Sequence, residues 1–158
     1  MTARLLGLTS ALALVAGTAQ AEYFTRIASF PVVDNMAEGE DRSRETSPEI
    51  IDATPDGMTL VYTDSPLGVV GMIDITDPSA PQPMGNIDMP GEPTSVAVVG
   101  RRAYVGINTS ESYTDPSGQL AVIDIDTQSV VGTCDLSGQP DSVAVDDAGS
   151  FIAIAIEN

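Results

Sequence analysis

Oxygen-bearing side chains recur in this sequence at the ends of short apolar runs. Glu49 and Asp141 each follow a proline that opens such a run, while Asp64, Asn108 and Glu157 each stand where one closes. Glu111 lies just beyond Asn108, in a stretch rich in Ser, Thr and acids. Carboxylates and amides gathered at one place suit a hard cation. They can supply the roughly six to eight oxygen ligands that a hard cation such as Ca²⁺ takes. The expectation is therefore an acidic mouth built from these six residues, holding Ca²⁺ or an unidentified ligand. No EF-hand loop or other local cation motif accompanies them, and solvated loop acids are the competing reading, because acids mostly sit exposed.

A second pair, Asp74 and Asp124, invites a catalytic reading. Both occupy the middle of an Ile-Asp-Ile segment. The same position in successive repeats places them in separate units, which favours turn or edge roles over a shared site.

What is missing narrows the chemistry further. The chain has 158 residues, with 23 acidic side chains, six basic ones, all Arg, and no His. Without His, neither a Ser-His-Asp triad nor a His-based zinc site can be assembled from these residues. A net charge of −17 repels phosphate backbones and anionic lipid, so nucleic acid is not an expected partner. Cys134 is the single cysteine, so no intrachain disulfide forms; its apolar neighbours Val130, Val131 and Leu136 predict a small buried residue on a strand.

Residues 1–21 read as a secretory signal peptide. Arg4 supplies the positive start, residues 5–16 form an uncharged apolar stretch, and Ala19-Gln20-Ala21 is a small-x-small site, predicting cleavage after Ala21. The stretch is short for a membrane span. The expectation is a secreted or periplasmic protein with no stable membrane insertion after cleavage.

Beyond residue 21 helical periodicity disappears. Runs of Val, Ile, Ala and Tyr alternate with Pro, Gly, Asp and Ser, the pattern of short strands and tight turns. The runs repeat. Pro48-Glu49-Ile50-Ile51 is echoed by Pro93-Thr94-Ser95-Val96 and by Pro140-Asp141-Ser142-Val143, at spacings of 45 and 47 residues. Four strands per roughly 40–50 residues is the spacing of a propeller blade. The fold class predicted is all-β: an incomplete β-propeller of about two and a half four-stranded blades after the signal peptide. Blades are expected over residues 48–92, 93–139 and 140–158, the last truncated, within a propeller region of 47–158. Residues 22–46 are expected to give a closing strand over 23–30 and an acidic loop carrying Glu38, Glu40, Asp41 and Glu45.

Antiparallel alternation puts the start of each first strand and the loop after each second strand at one end of the blade. Glu49, Asp64, Asn108, Glu111, Asp141 and Glu157 then share that end, with Tyr113 exposed on the long loop between residues 108 and 118.

These repeats resemble the YVTN family of bacterial exported β-propellers. The likeness rests on Pro140-Asp141-Ser142-Val143-Ala144-Val145, on Tyr104-Val105-Gly106-Ile107-Asn108 and on Leu120-Ala121-Val122-Ile123-Asp124. Residues 69–81, around Ile73-Asp74-Ile75-Thr76-Asp77-Pro78, are similar to the LVIVD-type repeat. Ser47-Pro48-Glu49-Ile50, Asn108-Thr109-Ser110-Glu111-Ser112-Tyr113 and Gln139-Pro140-Asp141 also resemble the N-terminal part of proteins with a phytase-like, esterase-like region, some labelled alkaline phosphatase. The resemblance implies an N-terminal propeller fragment serving as a binding or scaffold domain. Its alternative implication is the propeller part of a metal-dependent phosphate-ester or ester hydrolase whose active region lies mostly outside this stretch.

Overall fold

The computed structural model describes residues 25–146 and 148–157. The expected signal peptide and its cleavage point after Ala21 lie outside the described residues.

Ten strands follow one another in antiparallel meanders. β1 (Pro48–Ala53), β2 (Thr59–Asp64), β3 (Val69–Asp74) and β4 (Gln82–Asp88) form the first sheet in sequence order. β5 (Glu92–Val99), β6 (Arg102–Asn108), β7 (Gly118–Asp124) and β8 (Ser129–Leu136) form the second. β9 (Gln139–Val145) and β10 (Ile152–Glu157) pair as a two-stranded third. The repeat read from the prolines is thus a run of propeller blades, two with four strands and a third contributing two. Residues 25–30, expected as part of a strand, form none. The apolar run supplies β propensity, but no ladder partner lies beside it among the described residues.

Local sequence explains each sheet. In β6, the apolar Ala103, Val105 and Ile107 recur at every second position and are all buried, the side-chain period of a strand. β3 is buried from Val69 to Ile73 because a middle strand is covered on both faces. Outer strands differ: β8 is exposed along most of its length, and Cys134 with it. The expectation of a buried Cys134 is therefore corrected. Its apolar neighbours lie on the rim of the blade, where no further strand covers them.

The core lies between blades. Val61, Val70 and Met72 of the first sheet pack with Val96, Val105, Ile107 and Ile123 of the second. Hydroxyl groups then stitch the blades at the prolines: Ser65 Oγ donates to the Pro93 carbonyl at 2.8 Å, and Thr94 Oγ1 donates to the Pro140 carbonyl at 2.7 Å. The Pro140 ring seats against Gly106 and Gly118; a Cβ on Gly118 would collide with it and with the Gly138 carbonyl, and one on Gly106 would press tightly against it. Further bonds join neighbouring inner strands, from Val98 N to Asp52 Oδ2 (2.7 Å) and from Val143 N to Ser95 Oγ (3.0 Å).

A short 3₁₀ turn, η1 (Val32–Asn35), fastens the N-terminal segment to the first blade. Asn35 is buried and uses its whole amide. Its Nδ2 donates to Tyr62 Oη at 3.0 Å and to the Met72 carbonyl at 2.9 Å, and its Oδ1 accepts from the Met84 and Gly85 amides at 3.1 Å each. Burial pushes the Tyr62 phenol above its ordinary value of 10.0.

Candidate binding groove at the loop end

Register fixes which residues share an end. Pro48 pairs with Asp64, Glu92 with Asn108, and Gln139 with Glu157. The starts of the first strands and the ends of the second therefore lie at one end of every blade, as the alternation argument required.

The six expected site residues do not form one cluster. Asn108, Glu111 and Glu157 line a groove of about 750 Å³ together with Glu92, Tyr113 and Gln139. Glu49, Asp64 and Asp141 stay outside it, each for an identifiable reason. In all three first strands the ladder slips just after the proline, between Pro48 and Ile51, between Pro93 and Ser95, and at Pro140 opposite Ile156. Proline has no N–H to donate, and the residue after it becomes an unpaired bulge. Glu49 and Asp141 are those bulge residues. Glu49 accepts from Ser65 Oγ at 3.1 Å, and Asp141 stands exposed.

Asp64 departs furthest from expectation. It is fully buried, not part of an open mouth. Its Oδ1 accepts from the Ser47 amide at 3.0 Å and the Leu67 amide at 3.2 Å, which ties the entry of the first blade to the turn between β2 and β3. Its Oδ2 is buried without a partner. Among the described residues, no group of three or more His, Cys, Asp or Glu side chains is placed to hold a metal ion.

The groove's longest wall is the loop of residues 109–117. Its base is closed by hydroxyls: Ser117 N donates to Ser110 Oγ at 2.9 Å, Ser110 Oγ donates to the Ser117 carbonyl at 3.1 Å, and the Thr109 and Ser117 hydroxyls are hydrogen-bonded to each other at 2.9 Å. A β-bridge between Ser112 and Asp115 narrows the tip, and Tyr113 at that tip is 100% exposed. Asn108 is oriented at the floor, accepting from the Ser110 amide at 3.0 Å and donating to Glu92 Oε2 at 3.3 Å.

Acids at the two ends of the blades are employed differently. At the opposite, turn end, several carboxylates accept backbone or hydroxyl protons and are held below their ordinary value of 3.8. The Thr54 hydroxyl acts first on Asp56, the Thr76 side chain on Asp74, the Ser79 side chain on Asp77, the Thr127 amide on Asp124 and the Phe151 amide on Asp146. Asp74 and Asp124 are thus turn residues in separate sheets, as the repeat implied. Arg101, which bonds Asp126 at 2.6 Å and lies 3.6 Å from Asp56, also belongs to the turn end. No ion pair among the described residues involves Glu92, Glu111 or Glu157.

Sequence reasoning missed Glu92 and Gln139 as groove residues. The signal was present, since each immediately precedes the proline of a first strand; the ladder simply begins one residue earlier than the apolar pattern does.

The fold and this end-on groove define a β-propeller protein with a polar working end. A family model described as the Choice-of-anchor I domain matches residues 49–158, and the chain belongs to that family. Among solved structures it is similar to the hydrazine synthase of Kuenenia stuttgartiensis, with a TM-score of 0.60 and 22% identity over 70% of this chain and 30% of that one. It is also similar to a functionally unknown protein from Desulfotomaculum acetoxidans DSM 771, with a TM-score of 0.52 and 10% identity over 65% of this chain and 31% of that one. The chain spans less than a third of either structure, and at these identities the likeness shows the fold alone. No curated protein matches it. These matches name an anchor-type β domain; they name neither the YVTN nor the phytase-like family, and nothing in them bears on a hydrolase.

Proposed function

We propose that this chain is part of an exported, surface-anchored β-propeller whose loop end binds a ligand without transforming it. The single observation that carries the reading is the groove assembled from successive repeats, where Asn108, Glu111, Tyr113, Gln139 and Glu157 converge. Carboxylates, amides and an exposed aromatic are recognition groups. The chain has no His and no Lys, so neither an imidazole base nor an amine nucleophile stands beside them. Membership in a family named for its anchor, together with the signal-like residues 1–21, supports display outside the cytoplasm.

The test uses the full-length protein. Anionic, neutral and cationic cell-surface polymers are titrated against it by calorimetry, and against a variant whose residues 109–117 are replaced by the short turn that links β2 to β3. The expected result is saturable binding of at least one polymer that the replacement abolishes while the melting temperature holds. Binding indifferent to the replacement, or hydrolysis of a phosphate ester that the replacement abolishes, would overturn the reading.

A further inference from the structure

The chemistry of the groove narrows the ligand, and this inference rests on the binding reading above. Tyr113 is the first observation. A fully exposed aromatic ring loses the burial that normally justifies one. Here it is held out on a loop whose base is pinned by three Ser and Thr hydroxyls. The base of the arm is hydrogen-bonded to itself without any ligand, which lowers the entropy cost of fixing it at binding.

The second observation is the electrostatic character of the walls beneath that arm. Glu92, Glu111 and Glu157 line the groove, and none of them forms an ion pair with a described Arg. The carboxylates at the turn end are engaged in turn geometry, whereas Glu111 accepts no hydrogen bond from any described residue. Asn108 and Gln139 add amides that can both donate and accept. An anionic ligand would meet three like charges. A purely aliphatic cation would leave the amides unused.

One ligand class matches every group: a ring whose C–H face stacks on Tyr113, hydroxyls that bond the amides, and ammonium groups that face the carboxylates and the tyrosine π-face. We propose that the groove binds a polycationic glycan of the amino-sugar type, with Tyr113 as the stacking platform and Glu92, Glu111 and Glu157 facing its ammonium groups. A volume of about 750 Å³ lies within the range of ordinary small-ligand sites, roughly 300–1,000 Å³.

The full-length protein is titrated with glucosamine oligomers, with their N-acetylated counterparts, with dextran and with oligolysine. Glucosamine oligomers should bind tightest, and the binding should weaken as salt screens the charges. Tyr113→Ala should weaken it by about three- to tenfold. Glu111→Gln should weaken it by about two- to fivefold, the range of an exposed charge pair. All these side chains are exposed, so circular dichroism melts should stay unchanged and serve as the folding control. Equal binding of the N-acetylated oligomers, with Tyr113→Ala still harmful, would overturn the cationic assignment while leaving a binding groove. Tighter binding of oligolysine would overturn the glycan. If no probe responds to either substitution, the binding reading falls as well.

Discussion

Two buried polar side chains carry more of the first blade than their number suggests. Asn35 meets four partners with four hydrogen-bonding positions. Asn35→Ala leaves two amides and a carbonyl without partners where water has little access, so it should lower unfolding free energy by about 2–4 kcal/mol. Urea denaturation measures this, and a loss under 1 kcal/mol would show that the N-terminal segment is not integral to the blade. Asp64 makes a sharper comparison, because its Oδ1 serves two amides while its Oδ2 has none. Asp64→Ala abandons both amides and should cost about 2–3 kcal/mol. Asp64→Asn keeps an accepting oxygen for both amides, so it should cost less than about 1 kcal/mol. Neither role was legible beforehand. Asn35 reads as a linker residue, and Asp64 resembles any acid at a turn. Their burial is decided by chain segments about 17 to 50 residues away.

At the level of strands and turns, sequence and structure agree closely because each blade repeats one local grammar. Strand period, Asp-Gly turns and the Pro-opened first strand all point the same way, so eight strands of the complete blades and two of the third fall where the runs place them. What local grammar leaves open is which strand faces outward, since outer and inner strands have similar compositions. That is why Cys134 is exposed where its apolar neighbours predict burial. Two consequences of the turn and blade contacts can be measured. Gly118 accepts Pro140 and the backbone of Gly138 against its α-carbon. Gly118→Ala should force the third blade away and cost about 1–3 kcal/mol in thermal or chemical unfolding, whereas the same change at the open Gly85 should be milder in packing terms. The turn carboxylates give a pH signature. Asp56, Asp74, Asp77, Asp124 and Asp146 sit below their ordinary 3.8 in the fold. A carboxylate with a depressed folded value contributes stability that is present above its unfolded value and lost as pH falls through the folded one. Urea midpoints should therefore fall as pH drops below 3.8, and Asp56→Asn with Asp146→Asn should flatten that acid limb. An acid limb unchanged by the pair would sink the assignment.

Taken together, the described residues set charge against exposed apolar surface. Ile51 is 56% exposed, although Val96, at the same distance from its proline in the next repeat, is 4% exposed because the first blade covers it. The matching face of the first blade, with Leu60 and Ile73, borders an apolar hollow of about 320 Å³ also lined by Phe30 and Val32. At the other end of the series, β10 has β9 on one side only among the described residues, and its sequence is uncharged from Ile152 to Ile156, before Glu157. Phe151 beside it is 65% exposed. An open, uncharged strand edge is a template for pairing with another chain. A net charge of −17 opposes that pairing through mutual repulsion between copies. The balance must then depend on salt, because the screening length falls from about 30 Å at 0.01 M to about 3 Å at 1 M. A polypeptide of residues 22–158 should be largely monomeric at low ionic strength and should associate as sodium chloride approaches 1 M. Ile154→Lys places a charge in the middle of the open edge, the device by which natural edge strands resist pairing. That variant should stay monomeric across the same salt series, with an unchanged circular dichroism spectrum at low salt. Light scattering decides the matter. A monodisperse monomer of the unaltered polypeptide at both salt limits would mean that the β10 edge and the Ile51 face are not adhesive. Association that Ile154→Lys does not reduce would move the contact away from β10 and onto the uncovered face of the first blade.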